Sequence, residues 1–401
     1  MTAPQAAHPD NPAQADPNAA DPNAEDPNAE DPGAGQGEEQ PPAEDPGNGQ
    51  GEEQPPAEDP GNGQGEEQPP AEDPGNGQDQ PPAEDPGNGQ DQPPAEEEPP
   101  AEVDPNCVGP FAEDFVDINN VQAGAVVQPQ AGENASTGSV TKTCGVNNGF
   151  INSDNFIAAP GVVNGAEHQH HQVGNLNSNA NSNENNLVGA GTSCQDGDES
   201  TYFWPLIRLR NADPAQDQAL DAANPHNIGE PIEAASSEIK FKGNEQSPVV
   251  PMPKFLRVIT GDAKAANENL GKGNDNAKWT CTGQEDQVAT DKYVLCPEGS
   301  QTVRISNFPS CWDGQNVDSA DHRSHIVFKD EQTGACPEGT QAVPELQITL
   351  KYDLPPGQAF AVDSFPKDLH NPITDHNDFV NVMTEEQMQQ VVDTINSGQQ
   401  G

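Results

Sequence analysis

Between Met1 and Glu102 the chain contains no Val, Leu, Ile, Phe, Tyr, Trp, Cys, Lys or Arg. A folded segment must offset its lost conformational entropy by burying apolar surface, and here Met1 is the only large apolar side chain. Residues 1–102 are therefore expected to be a disordered tail. Its text is repetitive: ADPNA-type units run from Ala15 to Ala29, followed by AEDPGAGQGEEQPP, two copies of AEDPGNGQGEEQPP and two of AEDPGNGQDQPP. A solenoid repeat needs an apolar face to stack on its neighbour, and these units have none. Frequent Pro and charge repulsion favour an extended, partly polyproline-II chain, which suits either a spacer across a cell envelope or a low-complexity tail without a specific role.

Residues 103–401 are expected to form one β-rich domain. They hold all seven cysteines, every aromatic residue and all 16 Lys and Arg. The tail takes 27 of the 67 acidic residues, so the domain sets 16 cations against 40 anions, a formal charge of −24. Such a surface is repelled by phosphate backbones, which argues against nucleic acid as a partner, and by anionic membranes. Apolar runs such as Phe255–Ile259 are about five residues long and too short to span a bilayer.

No C-x-x-C pair occurs among Cys107, Cys144, Cys194, Cys281, Cys296, Cys311 and Cys336, which removes the zinc-knuckle and thioredoxin readings. Wide spacing suits disulfides and hence an oxidising compartment. Met1-Thr-Ala-Pro4 is followed by neither a basic nor an apolar signal region. The expectation is an extracellular or cell-envelope protein whose export signal is not visible in this chain; the alternative is an internal protein with reduced thiols.

Strand patterns dominate the domain. Glu238–Lys242 and Glu345–Tyr352 alternate polar and apolar residues, and Tyr202–Leu209 is aromatic and aliphatic. Phe255–Ile259, Val303–Ile305 and Ile326–Phe328 predict shorter strands, and the Asn-rich Gly174–Asn186 stretch predicts a loop. One helix is signalled near the C-terminus. Thr384-Glu-Glu-Gln387 is a capping box, Met383 and Met388 can form a staple, and Gly398 can stop the helix. Met388, Val391, Val392 and Ile395 fall on one face. The fold class expected is mainly β: a β-sandwich-like domain with a C-terminal α-helix, preceded by the long disordered tail.

Two histidine groups stand out. His168 and His170 are two apart, so a strand would present both imidazoles on one face with Gln169 turned away. His322 and His325, three apart, can meet on one turn. Such pairs offer neutral nitrogens to one divalent metal ion, with Asp318 or Asp321 near enough to be a further ligand, an outer acceptor or a general base. The bland reading is that these histidines are hydrogen-bonded residues that shape the fold. His376, in Thr374-Asp-His-Asn-Asp378, is a further candidate but reads as a loop residue. Trp312 can stack on a sugar ring, although a Trp beside a cysteine is more often core packing. G-x-S-x-G, H-E-x-x-H, Walker A, dinucleotide and EF-hand patterns are absent, which excludes several enzyme classes in their standard forms.

From about residue 143 to 397 the chain resembles a family known as domain of unknown function nineteen-ninety-six, found in secreted actinobacterial and fungal proteins. The resemblance rests on Asn152-Ser-Asp-Asn-Phe-Ile-Ala-Ala-Pro-Gly161, Glu167-His-Gln-His-His-Gln-Val-Gly-Asn175, Gly191-Thr-Ser-Cys194, Asp198-Glu-Ser-Thr-Tyr-Phe-Trp-Pro205 and Phe255-Leu-Arg-Val-Ile-Thr-Gly-Asp262. Its most specific block is Phe308-Pro-Ser-Cys-Trp-Asp-Gly314 with Asp318-Ser-Ala-Asp-His-Arg-Ser-His325. The resemblance implies export and the neighbourhood of cell-wall glycan, but it brings no reaction. Six cysteines allow 15 pairings. Their order together with the family blocks favours Cys144–Cys194, Cys281–Cys296 and Cys311–Cys336, leaving Cys107 without a partner. Whether the chain is an enzyme stays open. The first functional reading is a secreted or envelope protein that binds extracellular polysaccharide; the alternative is a metal-dependent enzyme acting on an extracellular polymer through its histidines.

Overall fold

A computed structural model describes residues 109–124, 129–146, 149–211, 217–218, 220, 224–266 and 277–401. The expected tail and Cys107 lie outside these residues.

Two five-stranded antiparallel sheets build the fold. The first runs in the order Ala277–Cys281, Thr302–Asn307, Glu345–Tyr352, Ser236–Lys242, Ser139–Lys142. The second runs Phe150–Asn152, His170–Gly174, Thr201–Pro205, His376–Val380, Arg257–Gly261. Alternation explains how they meet. Leu346, Ile348 and Leu350 of one strand and Ile239 and Phe241 of its neighbour turn to the same side as the first sheet's buried face. From the second sheet Val173, Tyr202, Trp204, Val258 and Phe379 enter the same core cluster. The rings of Phe241 and Phe379 touch across the gap at 5.9 Å. The expected mainly-β, sandwich-like architecture is present.

The second sheet is also covered on its other face. His170–Gly174, Thr201–Pro205 and His376–Val380 are buried at every position. A smaller apolar cluster of Phe156, Ile157, Leu187, Phe203, Val380 and Val382 lies on this side. Two-sided burial removes the polar/apolar alternation from those strands, which is why His376–Val380 reads as a loop in the sequence. The single strand expected over Tyr202–Leu209 is two. Thr201–Pro205 belongs to the second sheet, and Ile207–Leu209 pairs with Phe360–Val362 and Glu230–Ile232 in a separate small one. The break falls at Pro205, which has no N–H for a continuing ladder. Within the Asn-rich loop, Glu184–Leu187 forms one helical turn.

The C-terminal helix spans Glu385–Asn396 and is capped by Thr384 and Gln387 as the sequence predicts. Its face of Met388, Val391, Val392 and Ile395 is buried in the main core. Gly398, with a φ of 77°, adopts the left-handed conformation that ends it. The three disulfides are Cys144–Cys194, Cys281–Cys296 and Cys311–Cys336. They are the pairing favoured by order and resemblance.

Candidate metal centre

The covered face of the second sheet carries the candidate site. His170 is paired with Pro205, and the Asp378–Phe203 pairing places His376 level with Pro205 on its other side. Pro205 therefore stands between the two histidine strands. Adjacent strands lie about 4.8 Å apart, so imidazoles two strands apart can meet only if the residue between them is small or turned aside. The compact proline ring satisfies this. His168 precedes the strand and arrives from a turn in which Glu167 has a φ of 55°, a left-handed conformation costly for a non-glycine residue.

All three imidazoles converge. The Nε2 of His376 lies 3.1 Å from the Nε2 of His168 and 3.2 Å from that of His170. The ligand atoms of the trio all lie within 4.8 Å of one another, and it is the one such group of three or more His, Cys, Asp or Glu among the described residues. The side chains are almost sealed, with 1%, 0% and 4% exposure for His168, His170 and His376. Phe365 packs edge-on against His168 at 5.0 Å, and Phe203 does the same to His170 at 5.4 Å.

Electrostatics hold the rings neutral. Burial lowers the pKa of His168 well below the usual range, and the neighbouring His170, His376 and His226 lower it further. Burial does the same to His170, assisted by His376 and Arg304. For His376 burial dominates and brings the value down to about 4, against the opposing hydrogen bond to Thr374. That bond joins Nδ1 to the Thr374 carbonyl at 2.9 Å. Only a donor can meet a carbonyl oxygen, so Nδ1 carries the proton and the Nε2 lone pair faces the other two rings.

The sequence paired His168 and His170 with His322 and His325; the structure pairs them with His376. His325 uses both nitrogens elsewhere: Nε2 donates to the Arg257 carbonyl at 2.7 Å, and Nδ1 lies within hydrogen-bond distance of the Ser319 hydroxyl at 2.9 Å. His322 Nδ1 meets Asp318 at 2.8 Å, and Asp318 also receives Arg257 Nη1 at 2.8 Å. Asp318 thus belongs to an ion-pair cluster in which His322 and Arg257 outweigh its burial and lower its pKa. Asp321 accepts from the Ser324 N–H and from the hydroxyls of Ser319 and Ser324, contacts that hold its carboxyl far below the usual range. Both acids are thus engaged by neighbouring residues, Asp318 by His322 and Arg257 and Asp321 by Ser319, Ser324 and Arg323. His171 points to the opposite face, where its ring packs on Trp204 at 5.6 Å. Trp312 is half-buried, and its Nε1 donates to the Asn316 carbonyl at 2.6 Å.

A family model matches residues 156–382, more than half of the chain. The protein belongs to the family described as Domain of unknown function (DUF1996). The DUF1996 match encloses all three convergent histidines together with Pro205, Phe203 and Phe365. No curated protein and no solved structure matches the chain.

Proposed function

We propose that this chain is an exported metalloprotein that binds one divalent transition-metal ion through the Nε2 atoms of His168, His170 and His376. The carrying observation is the pair of Nε2–Nε2 distances, 3.1 and 3.2 Å. Nitrogens about 2.05 Å from a common ion and this far apart subtend roughly 100° at it, between the octahedral and tetrahedral angles. Neutral imidazoles are the ligating form, and burial keeps these three neutral. Imidazole ligation suits zinc, copper, iron or nickel.

Three ligands are the number found in working rather than purely structural zinc sites, which take four. Among the described residues no fourth His, Cys, Asp or Glu joins the group. This favours a metal-dependent enzyme of extracellular substrates over a purely structural site. Bound metal would supply Lewis acidity, and the chain's own residues would hold the three rings in place. Three disulfides support export. Among the described residues no helix is long and apolar enough to cross a membrane. Polysaccharide binding through Trp312 has less behind it, because that ring is half-buried and its N–H is already committed.

Elemental analysis of the purified full chain, dialysed against excess zinc and then against metal-free buffer, tests the proposal. One equivalent of retained metal is expected, falling to background in the His168→Ala and His376→Ala variants. Retention unchanged by both substitutions would place the metal elsewhere.

A further inference from the structure

His168 lies outside the sheet. The ladder of the His170–Gly174 strand with Thr201–Pro205 ends at the His170–Pro205 pair, so regular pairing does not fix the residue two positions earlier. What fixes it is Gln169. Its carbonyl accepts from the Leu206 N–H at 2.9 Å, its N–H donates to Asp363 Oδ2 at 3.3 Å, and its side-chain Oε1 accepts from Arg208 Nη2 at 2.8 Å. The backbone N–H, the backbone carbonyl and the side-chain Oε1 of the residue between the two histidines are thus all engaged.

Arg208 grips Asp363 with two parallel bonds, Nε to Oδ1 at 2.6 Å and Nη2 to Oδ2 at 3.0 Å, and both side chains are 1% exposed. A fork-to-fork guanidinium–carboxylate pair is directional in a way that an apolar replacement is not. Buried ion pairs are a poor source of net stability, so their presence points to geometry. The third histidine meets the same device. Arg304 is bound to Asp375, and its Nη1 and Nη2 also reach the carbonyls of Pro205 and His376 at 3.0 and 3.3 Å.

We propose that Gln169, held by the buried Arg208–Asp363 pair, is a positioning residue that sets the spacing of the His168 and His170 imidazoles for metal binding. This rests on the reading of His168, His170 and His376 as ligands. Gln169 itself is not one of the ligands: its side-chain Oε1 is committed to Arg208. Partners that orient metal-ligating histidines commonly govern affinity by 10- to 100-fold when removed.

Zinc competition titration and the visible spectrum of the cobalt-loaded full chain provide the test. Gln169→Ala, which leaves all three histidines, the Arg208–Asp363 pair and the two backbone bonds of residue 169 in place and removes only the side-chain bond to Arg208, is expected to weaken zinc binding by about 10-fold and to alter the cobalt ligand-field bands. Gln169→Glu keeps an acceptor for Arg208 and is expected to restore affinity. Glu345→Gln cuts another buried ion pair, to Lys242 and Lys329, with no bond to the histidine segments, and is expected to leave affinity within about twofold, the control for general loosening. Unchanged affinity in Gln169→Ala, or an equal loss in Glu345→Gln, overturns the positioning role while the ligand assignment stands. A wild type that takes up neither ion overturns both.

Discussion

Replacing His376 with Gln in metal-free protein is expected to remove a specific part of the acid sensitivity of folding. His376 has its pKa lowered to about 4, chiefly by burial, against about 6.5 in the unfolded chain. A depressed imidazole contributes stability that is fully present above pH 6.5 and is lost as the pH falls toward 4, because the unfolded chain takes up a proton that the folded one refuses. Between pH 7 and pH 5 that difference amounts to about 2 kcal/mol for this one group. His168 and His170 are depressed partly by His376 itself, so its removal also relaxes them, in the same direction. Wild type should therefore lose about 2 kcal/mol or more beyond what His376→Gln loses over this interval, roughly 3 °C in melting temperature for a domain of this size. Urea or thermal unfolding at the two pH values, with chelator present, measures the difference between the two proteins. Taking that difference cancels the other titrating groups, including Asp378, whose carboxyl is pushed up to about 7 by burial and whose effect on acidification has the opposite sign. Identical pH dependence in the two proteins would refute the burial argument and with it the neutral trio.

Phe379 stacks on Tyr202 at 5.1 Å and touches Phe241 across the sandwich; Phe379→Ala should cost about 3–5 kcal/mol in urea unfolding, and a cost below ~1 kcal/mol would deny that the two sheets share one core. Cys281–Cys296 closes a loop of 15 residues, so replacing both cysteines with Ala should lower stability by about 3 kcal/mol, with non-reducing peptide mapping to confirm that the other two bonds are intact.

Much of the framework was legible because one buried face leaves a mark in sequence. Glu345–Tyr352 alternates and forms a strand with the expected bounds. The C-terminal helix announced its cap, its apolar face and its stop through Thr384, Met388 and Gly398. The histidine site was half legible. Period-two spacing flags His168 and His170 together and, within the strand, sends His171 to the face opposite His170, although His168 itself precedes the strand and is held through the long-range bonds of Gln169. The third member was hidden for two reasons. His376 sits in a strand buried on both faces, which erases alternation, and it is more than 200 residues away in sequence, brought in by the register of a central strand. Proximity within one sequence block drew His322 and His325 forward instead, but the hydroxyls and acids around them satisfy those rings locally. Nothing in the local text around Gln169 signals its bonds to Arg208 and Asp363, the latter 194 residues away.

X-ray absorption at the zinc edge of the metal-loaded full chain tests the central claim most directly. Three imidazole nitrogens at about 2.0–2.1 Å are expected, with a remaining light-atom ligand and no sulfur, and the imidazole signature should shrink by one ring in His376→Ala. A shell made of oxygen alone, a sulfur ligand, or a spectrum unchanged by His376→Ala would contradict a centre built from His168, His170 and His376.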